Sequence, residues 1–273
     1  VFVDGTSSTH LIELRPNVVI KRYRAWSNNE PHREWRALTL LHEHAPGSAP
    51  APISADLHTE PPAVVMSRLD GVSLEGDFTA DVATAVARTV ARVQEAIPSR
   101  ALNDVPVRAG HPVEMLQQVR TWCAAVSRPV VDPLVVKAFE SATAWIRQPA
   151  LEDVLGRPMR PVFGTGDGNL ANFLWDGTDV RLVDFEYSGR SDRPYELAEL
   201  TEHISIRVAD GHGMEHVLDC FDLSAAELGR LKTCRRLLAL FWLLRILHNG
   251  RDTPTLARQA ARLLALLDGP GLS

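Results

Sequence analysis

Lysine is nearly absent from this sequence: of 29 basic side chains only Lys21, Lys137 and Lys232 are lysines, so a lysine inside a strand is hard to dismiss as ordinary surface charge. Cysteine is as rare. Cys123, Cys220 and Cys234 are odd in number and form no C-x-x-C pair, which excludes a disulfide framework and the usual structural zinc spacing and points to a reducing compartment. Long apolar runs are also missing. The longest, Leu237 to Leu247, is too short for a bilayer and contains Arg245, and no basic-then-apolar leader opens the sequence, so a cytoplasmic protein with no membrane partner is expected. Positive charge is in deficit: a net charge of −5 and a pI near 6.1 leave no basic stripe for nucleic acid, whereas a small cationic partner is easily reconciled with them. The first residue is Val1, not Met, and the opening residues read as part of a strand, so the natural chain is expected to begin slightly earlier. What remains, 273 residues with 45% hydrophobic and 23% charged side chains, suffices for a real core in one large domain or two modest ones.

The first seventy residues read as short strands around one helix. Leu11–Leu14 and Val18–Tyr23, split by Arg15-Pro16-Asn17, resemble a hairpin. A helix follows, capped by Asn28 or Asn29 with Pro31 in its first turn, and Glu34, Leu38 and Leu41 fall on successive turns. The Pro- and Gly-rich stretch from Ala45 to Pro52 ends it, and Ile53–Leu57 and Ala63–Ser67 read as two more strands. From Thr79 the period changes to helical, with Val82, Val86, Val90, Val93 and Ile97 on one face. Further helices are predicted over 112–126, 133–146, 194–208, 224–247 and 254–267, interrupted by one β-like island from Val162 to Phe185.

That island holds the most informative stretch, Gly164-Thr165-Gly166-Asp167-Gly168-Asn169-Leu170-Ala171-Asn172, followed after a turn at Asp176-Gly177 by Val180-Arg181-Leu182-Val183-Asp184-Phe185-Glu186. A dinucleotide loop would need glycine where Asn169 stands, and a calcium loop would need glycine at Asn172, so neither pattern fits. A plain polar turn between two strands is the bland alternative. Phosphoryl transfer needs a carboxylate beside the attacking hydroxyl and oxygen ligands for magnesium, and Asp167, Asn172 and Asp184 supply such a set.

The same residues resemble a known family. Protein kinases carry H-R-D-x-x-x-x-N followed by D-F-G, and the related aminoglycoside phosphotransferases and choline or ethanolamine kinases carry H-G-D-x-x-x-x-N followed by D-W-E, D-F-E or D-Y-E. Gly166-Asp167 with Asn172 is similar to the first element and Asp184-Phe185-Glu186 to the second. The resemblance implies a bilobal, protein-kinase-like α+β fold, with a small antiparallel-sheet lobe over residues 1–69 and a larger, mainly helical lobe over 70–273. It implies ATP, or another nucleoside triphosphate, with Mg2+ as cofactors, Asp167 as catalytic base, and Asn172 and Asp184 as metal ligands. One departure is plain: Thr165 stands where the family has histidine.

For the nucleotide, the resemblance implies Lys21 on the phosphates and Glu34 as its partner, with Glu30 a weaker contender. It also implies backbone amides around Ser7 and Ser8 in the loop Gly5-Thr6-Ser7-Ser8-Thr9-His10, and backbone groups near Ser67 and Leu69 against the base. An edge-strand lysine and a helix-start glutamate are the plain structural alternatives. No A-P-E segment follows Asp184, which leaves little room for a protein substrate and implies a small hydroxylated acceptor. An aminoglycoside-like acceptor would call on Glu199, Glu202, Asp210 and Glu215 for its ammonium groups, and a choline-like one on aromatics such as Phe241 and Trp242; for these a solvated helix face and a core position are the competing readings. Asp192 and Glu196 are expected to hold backbone amides of the catalytic loop or the next helix. A catalytically silent, nucleotide-binding kinase-like module is the reading from another class.

Overall fold

The computed structural model describes residues 10–74, 79–126, 132–208, 214–249 and 253–269. The first lobe is one four-stranded antiparallel sheet and one helix. β1 (His10–Leu14) pairs with β2 (Val18–Tyr23), β2 with β4 (Ala63–Ser67), and β4 with β3 (Pro52–Asp56), giving the order β1-β2-β4-β3. Because strand side chains alternate in direction, Val19, Lys21 and Tyr23 share one face of β2. α1 (Glu30–His44) packs on β3 and β4 through Ala37, Leu38 and Leu41. Asn29 precedes α1 in the left-handed region (φ 63°) but makes no side-chain cap; the Glu30 carboxylate instead turns back to accept from the Ser27 and Asn28 amides at 3.0 and 2.8 Å.

β5 (Val72–Ser73) leaves the first sheet and pairs with β7 (Phe173–Trp175), which pairs with β8 (Val180–Leu182). The helical lobe then builds from α2 (Ala80–Ala96), α3 (Ser99–Asn103), α4 (Pro112–Ala125), α5 (Pro133–Ile146) and α6 (Ala150–Gly156). Thr79 caps α2 by accepting from Val82 N. β6 (Pro161–Gly164) enters the site and pairs antiparallel with β9 (Gly189–Asp192), a strand the sequence did not announce. α7 (Arg193–Glu202), α8 (Ile204–Val208), α9 (Glu215–Asp219), α10 (Ala225–His248) and α11 (Thr253–Asp268) complete the order.

α10 is the axis of this lobe. A capping box between Ser224 and Glu227 starts it, and Leu237, Leu238, Leu240, Leu243 and Leu244 are all buried, because α7, α4, α6 and α11 surround it. Its neighbour α7 is buried along nearly its whole length. The continuous helix expected over 194–208 is in fact two: His203 adopts an extended backbone (φ −59°, ψ 141°) between α7 and α8, which ends the i→i−4 ladder and redirects its ring. Among the described residues no helix is long and apolar enough to cross a membrane. Two lobes joined at residues 68–71 therefore form an α+β fold, and the segments carrying Asp167 and Asp184 face the first sheet across the cleft.

Candidate active site

A cleft of about 400 Å³ opens between the lobes, with Leu14, Val19, Met66 and Leu174 among its apolar walls and Lys21, Asn172 and Asp184 at its polar end. Its floor is set by how closely the chain segments approach one another. The loop between β6 and the 3-10 turn Leu170–Asn172 lies flush on its neighbours: a side chain at Gly166 (φ +87°) would strike the Tyr187 carbonyl, and one at Gly168 the Glu199 carbonyl of α7. The alternating glycines around Asp167 thus serve close backbone approach.

Asp167 is held at both oxygens. Oδ1 accepts the Asn169 N–H at 2.9 Å, closing an Asx turn, and lies 3.3 Å from His203 Nε2; Oδ2 accepts from Asn172 Nδ2 at 3.1 Å. Burial first, then the nearby Asp184 carboxylate, raises the Asp167 pKa to about 6. Asp184 follows β8 in the left-handed region (φ 68°), a conformation that Asp tolerates better than most residues. Val183 N–H donates to the Asn172 carbonyl at 2.9 Å, so the two expected metal ligands sit on paired segments.

Lys21 is the hub on the other side. Its ammonium reaches Glu34 Oε2 at 3.1 Å, Asp184 Oδ1 at 2.6 Å and Glu186 Oε2 at 2.7 Å. Burial opposes its charge, but Glu34 and then Asp184 outweigh it and hold the Lys21 pKa well above the ordinary value. Burial likewise pushes the Glu34 carboxyl up; with Lys21, the Phe185 N–H at 3.0 Å and the Tyr23 hydroxyl at 3.4 Å all donating to Oε2, Glu34 is nonetheless the ionised partner. Against the cost of burial, His10, 2.7 Å away, and Lys21 hold Glu186 down at about 2. Glu34, not Glu30, is therefore the partner of Lys21, and through Phe185 N–H it also ties α1 to the Asp184 segment.

Carboxylate oxygens of Glu34, Asp184 and Glu186 lie within 4.8 Å of one another, and Glu34 Oε1 is buried with no hydrogen-bond partner among the described residues. Three carboxylates against one ammonium leave negative charge in excess. All are hard oxygen donors, so the residues fit a hard divalent cation such as Mg2+.

Two residues that sequence reasoning missed brace this centre. Arg108, on the loop after α3, donates to the Gly166 carbonyl at 2.8 Å and pairs with Glu196 at 2.8 Å and Glu199 at 3.4 Å. Glu196 Oε2 in turn accepts the Gly166 N–H at 3.4 Å. The loop that has Thr165 in place of histidine is thus held by a buried arginine from 58 residues away. Arg33, beside Glu34, sends Nη1 to the Val107 and Ser188 carbonyls at 2.9 and 2.8 Å, stapling α1 to the second lobe. Asp192 caps α7 through Tyr195 N–H at 3.0 Å and takes Arg230 at 2.6 Å. Replacing Arg108 by Met is expected to cost about 3–5 kcal/mol of stability, because it leaves Glu196 and Glu199 buried without their counter-charge. A denaturant midpoint equal to that of wild type would show the cluster to be inert.

Two of the carboxylates considered for an ammonium-bearing acceptor lie differently from both readings of the sequence. Glu199 is buried on Arg108, and burial raises its pKa to about 7. Glu202, fully buried, takes Arg235 at 2.6 Å and Arg262 at 2.5 Å, and Glu215 takes the same two arginines at 2.6 and 2.7 Å. Glu199 and Glu202 are buried and closed to a ligand, whereas Glu215 stays exposed, as the solvated-face reading had it, with its carboxylate on the two arginines. Asp210, and Ser7 and Ser8 with the rest of the first loop, lie outside the described residues. Phe241 and Trp242 are half-buried and form a cluster with Trp122, with Phe241 stacked on Trp122 (centroids 5.4 Å apart) and Trp242 edge-on to Phe241 at 5.2 Å.

Known proteins share this arrangement at the level of the fold. A choline/ethanolamine kinase family protein from Mesorhizobium loti superposes with a TM-score of 0.66 at 16% identity, covering 97% of this chain and 87% of that one. The GDP complex of wild-type aminoglycoside 2'-phosphotransferase-IIIa gives 0.65 at 16% identity over 96% and 90% of the two chains. A thermostable mutant of aminoglycoside phosphotransferase APH(4)-Ia, in a ternary complex with ADP and hygromycin B, gives 0.63 at 16% identity over 100% and 94%. No relative is found among curated proteins. The family described as "Phosphotransferase enzyme family" matches residues 4–215, a span that takes in the first sheet, Lys21, Glu34 and the whole Asp167–Asp184 region, and to that family the chain belongs.

Proposed function

We propose that this phosphotransferase is an ATP- and Mg2+-dependent kinase that phosphorylates a hydroxyl group of a small, amine-bearing molecule of the aminoglycoside or amino-alcohol class. The observation that carries the reading is the convergence of five side chains from both lobes on one end of the cleft: Lys21 and Glu34 from the sheet lobe, and Asp167, Asn172 and Asp184 from the helical one. We take residues 1–69 as the nucleotide-binding lobe and 70–273 as the catalytic and substrate lobe. In support, the first sheet closes at Ser67 and β5 already pairs with β7.

In this scheme Lys21 neutralises the nucleotide phosphates while Glu34 keeps its ammonium in place. Ser67 N–H is already given to the Ala51 carbonyl at 2.9 Å, so an adenine would be met by the Ser67 carbonyl and the Leu69 backbone. Asn172 and Asp184 would hold the divalent cation, which when bound supplies charge neutralisation for the phosphates. Were the Asn172 amide to turn toward such a cation, Oδ2 of Asp167 would be released, since Oδ1 keeps the Asn169 N–H. Asp167 Oδ2 then orients the acceptor hydroxyl and accepts its proton, while that oxygen bonds to the γ-phosphorus and the bond to the departing nucleoside diphosphate breaks.

One observation favours a compact amino alcohol over a polycationic aminoglycoside. Glu199, Glu202 and Glu215 are engaged with arginines, while Trp242 stands 4.6 Å from His203, the ring beside Asp167. An aromatic wall can hold one ammonium group through its π face.

The test is nucleotide turnover with and without Mg2+ against a panel of amino alcohols, choline and aminoglycosides. Metal-dependent phosphate transfer to at least one of them is expected. A chain that binds nucleotide and transfers to none would instead be the silent module. The same assay run against pH should show an acid limb: Asp167 works as the carboxylate, so turnover is full above its pKa and falls about tenfold per unit below about 6. A cation beside Asp184 offsets that carboxylate's share of the shift and moves the limb lower. A limb well above pH 7 would contradict Asp167 as the base.

A further inference from the structure

His203 is used nowhere in the scheme above, yet its ring lies beside Asp167. It interrupts α7 and α8 with an extended backbone, and that break turns its imidazole into the site. Nε2 lies 3.3 Å from Asp167 Oδ1, a close approach just outside the usual N–H···O range. The other nitrogen decides the tautomer. Nδ1 accepts the Ser205 backbone N–H at 3.2 Å and lies 2.8 Å from Ser205 Oγ, which itself accepts the Leu170 N–H at 3.1 Å and so has its hydroxyl proton to give to Nδ1. A ring nitrogen that accepts carries no proton, so in the neutral imidazole Nε2 is the N–H, on the side of the ring next to Asp167. Burial lowers the His203 pKa to about 3 and keeps the ring neutral, and Trp242 packs edge-on against it at 4.6 Å and 80°.

We propose that His203 is a positioning residue for phosphoryl transfer: its neutral imidazole donates from Nε2 to Oδ1 of Asp167 and fixes the carboxylate so that Oδ2 is the oxygen presented to the acceptor hydroxyl. The inference rests on the phosphotransferase mechanism above and adds to it. Without such a donor Asp167 keeps the Asn169 N–H on Oδ1 but loses its only other contact there among the described residues, and when Asn172 turns away the carboxylate could rotate about its last bond. Ser205 extends the chain to Leu170, the first residue of the turn that carries Asn172, so base and metal ligand are aligned by one relay. A loop that carries Thr165 thereby receives an imidazole from a different element.

Two measurements on the intact chain test this. In 15N-histidine spectra, His203 should show a protonated Nε2 and an unprotonated Nδ1, and Asp167→Asn should move the Nε2 resonance. In Mg-ATP turnover, with water or an amino alcohol as acceptor, His203→Leu should lower kcat about 10–100-fold, the scale expected when a reacting group loses its alignment, with KM for ATP unchanged and the variant still folded at the assay temperature, its melting transition lowered by the lost ring contacts. His203→Gln, whose side-chain amide places an N–H near the same point, should recover most of the loss. An Nδ1–H tautomer, an Nε2 resonance indifferent to Asp167→Asn, or wild-type kcat in His203→Leu would each overturn the proposal. If wild type turns over no nucleotide with any acceptor, the phosphotransferase mechanism fails on its own account, and the spectra still decide whether His203 donates to Asp167.

Discussion

Asp167→Asn should reduce turnover by about 10²–10⁴, the usual contribution of a positioned acid–base group, while nucleotide affinity stays near that of wild type. The substitution keeps the volume and an oxygen that can accept the Asn169 N–H, now made at 2.9 Å to Oδ1. It places an NH2 group where Oδ2 meets Asn172 Nδ2 at 3.1 Å, and Asn172 relieves that by flipping its amide. The change therefore removes charge and basicity with little cost to the fold, and an unchanged melting transition would exclude unfolding as the cause. In the proposed scheme nucleotide binding rests on Lys21 and the apolar walls of the cleft, which the substitution leaves untouched. In that scheme Asp167 acts on the acceptor hydroxyl and not on the nucleotide. A variant that binds ATP and phosphorylates its acceptor at the wild-type rate would end the proposed mechanism.

Asp184 should be nearly as costly to lose, for an electrostatic reason. Removing one preorganised group that stabilises transition-state charge lowers turnover by about 10²–10³, and here the metal dependence of nucleotide binding should weaken as well. Asp184→Asn is the informative variant. Asn tolerates the left-handed backbone at φ 68°, whereas Asp184→Ala would add about 1–2 kcal/mol of strain unrelated to metal. Lys21 keeps Glu34 and Glu186 in either variant, so the lobes should remain coupled. Titration of Mg2+ into the nucleotide-bound variant separates the outcomes: a rightward shift of the metal curve with normal melting supports Asp184 as ligand, and an unmoved curve with normal turnover contradicts it.

Local chemistry was legible in the sequence wherever a short stretch decides its own structure. The hairpin 11–23, the helix after Asn29 and the one after Thr79 follow from period, turn residues and caps, and each lies within about two residues of the expected bounds. The D-x-x-x-x-N and D-F-E spacing singled out Asp167, Asn172 and Asp184, and the structure brings them close together because the loop before the 3-10 turn, that turn and the β7–β8 hairpin follow one another in the chain. Lys21 stood out by rarity and by its strand. Even the choice between Glu30 and Glu34 was half-visible: Glu30 is one residue into α1 and serves its backbone, while Glu34, one turn on, faces Lys21.

What only the tertiary structure decided are the relations between distant segments. Nothing in the run around 108 shows that this arginine will reach the Gly166 carbonyl, because the pairing depends on where the loop after α3 crosses β9. The apolar pattern carries through 203 without a break, so the sequence predicts one helix; the tertiary contacts of the ring with Asp167, Ser205 and Trp242 hold the extended conformation there instead. Glu202 and Glu215 read as a charged helix face until Arg235 of α10 and Arg262 of α11 are brought to them across the lobe. The physical reason is common to all three. Period, turn and cap preferences act over a few residues and are written in the order of the side chains. Burial and charge neutralisation act through space, and which partner satisfies a buried group is fixed only when the packing of the helices around α10 brings the two together.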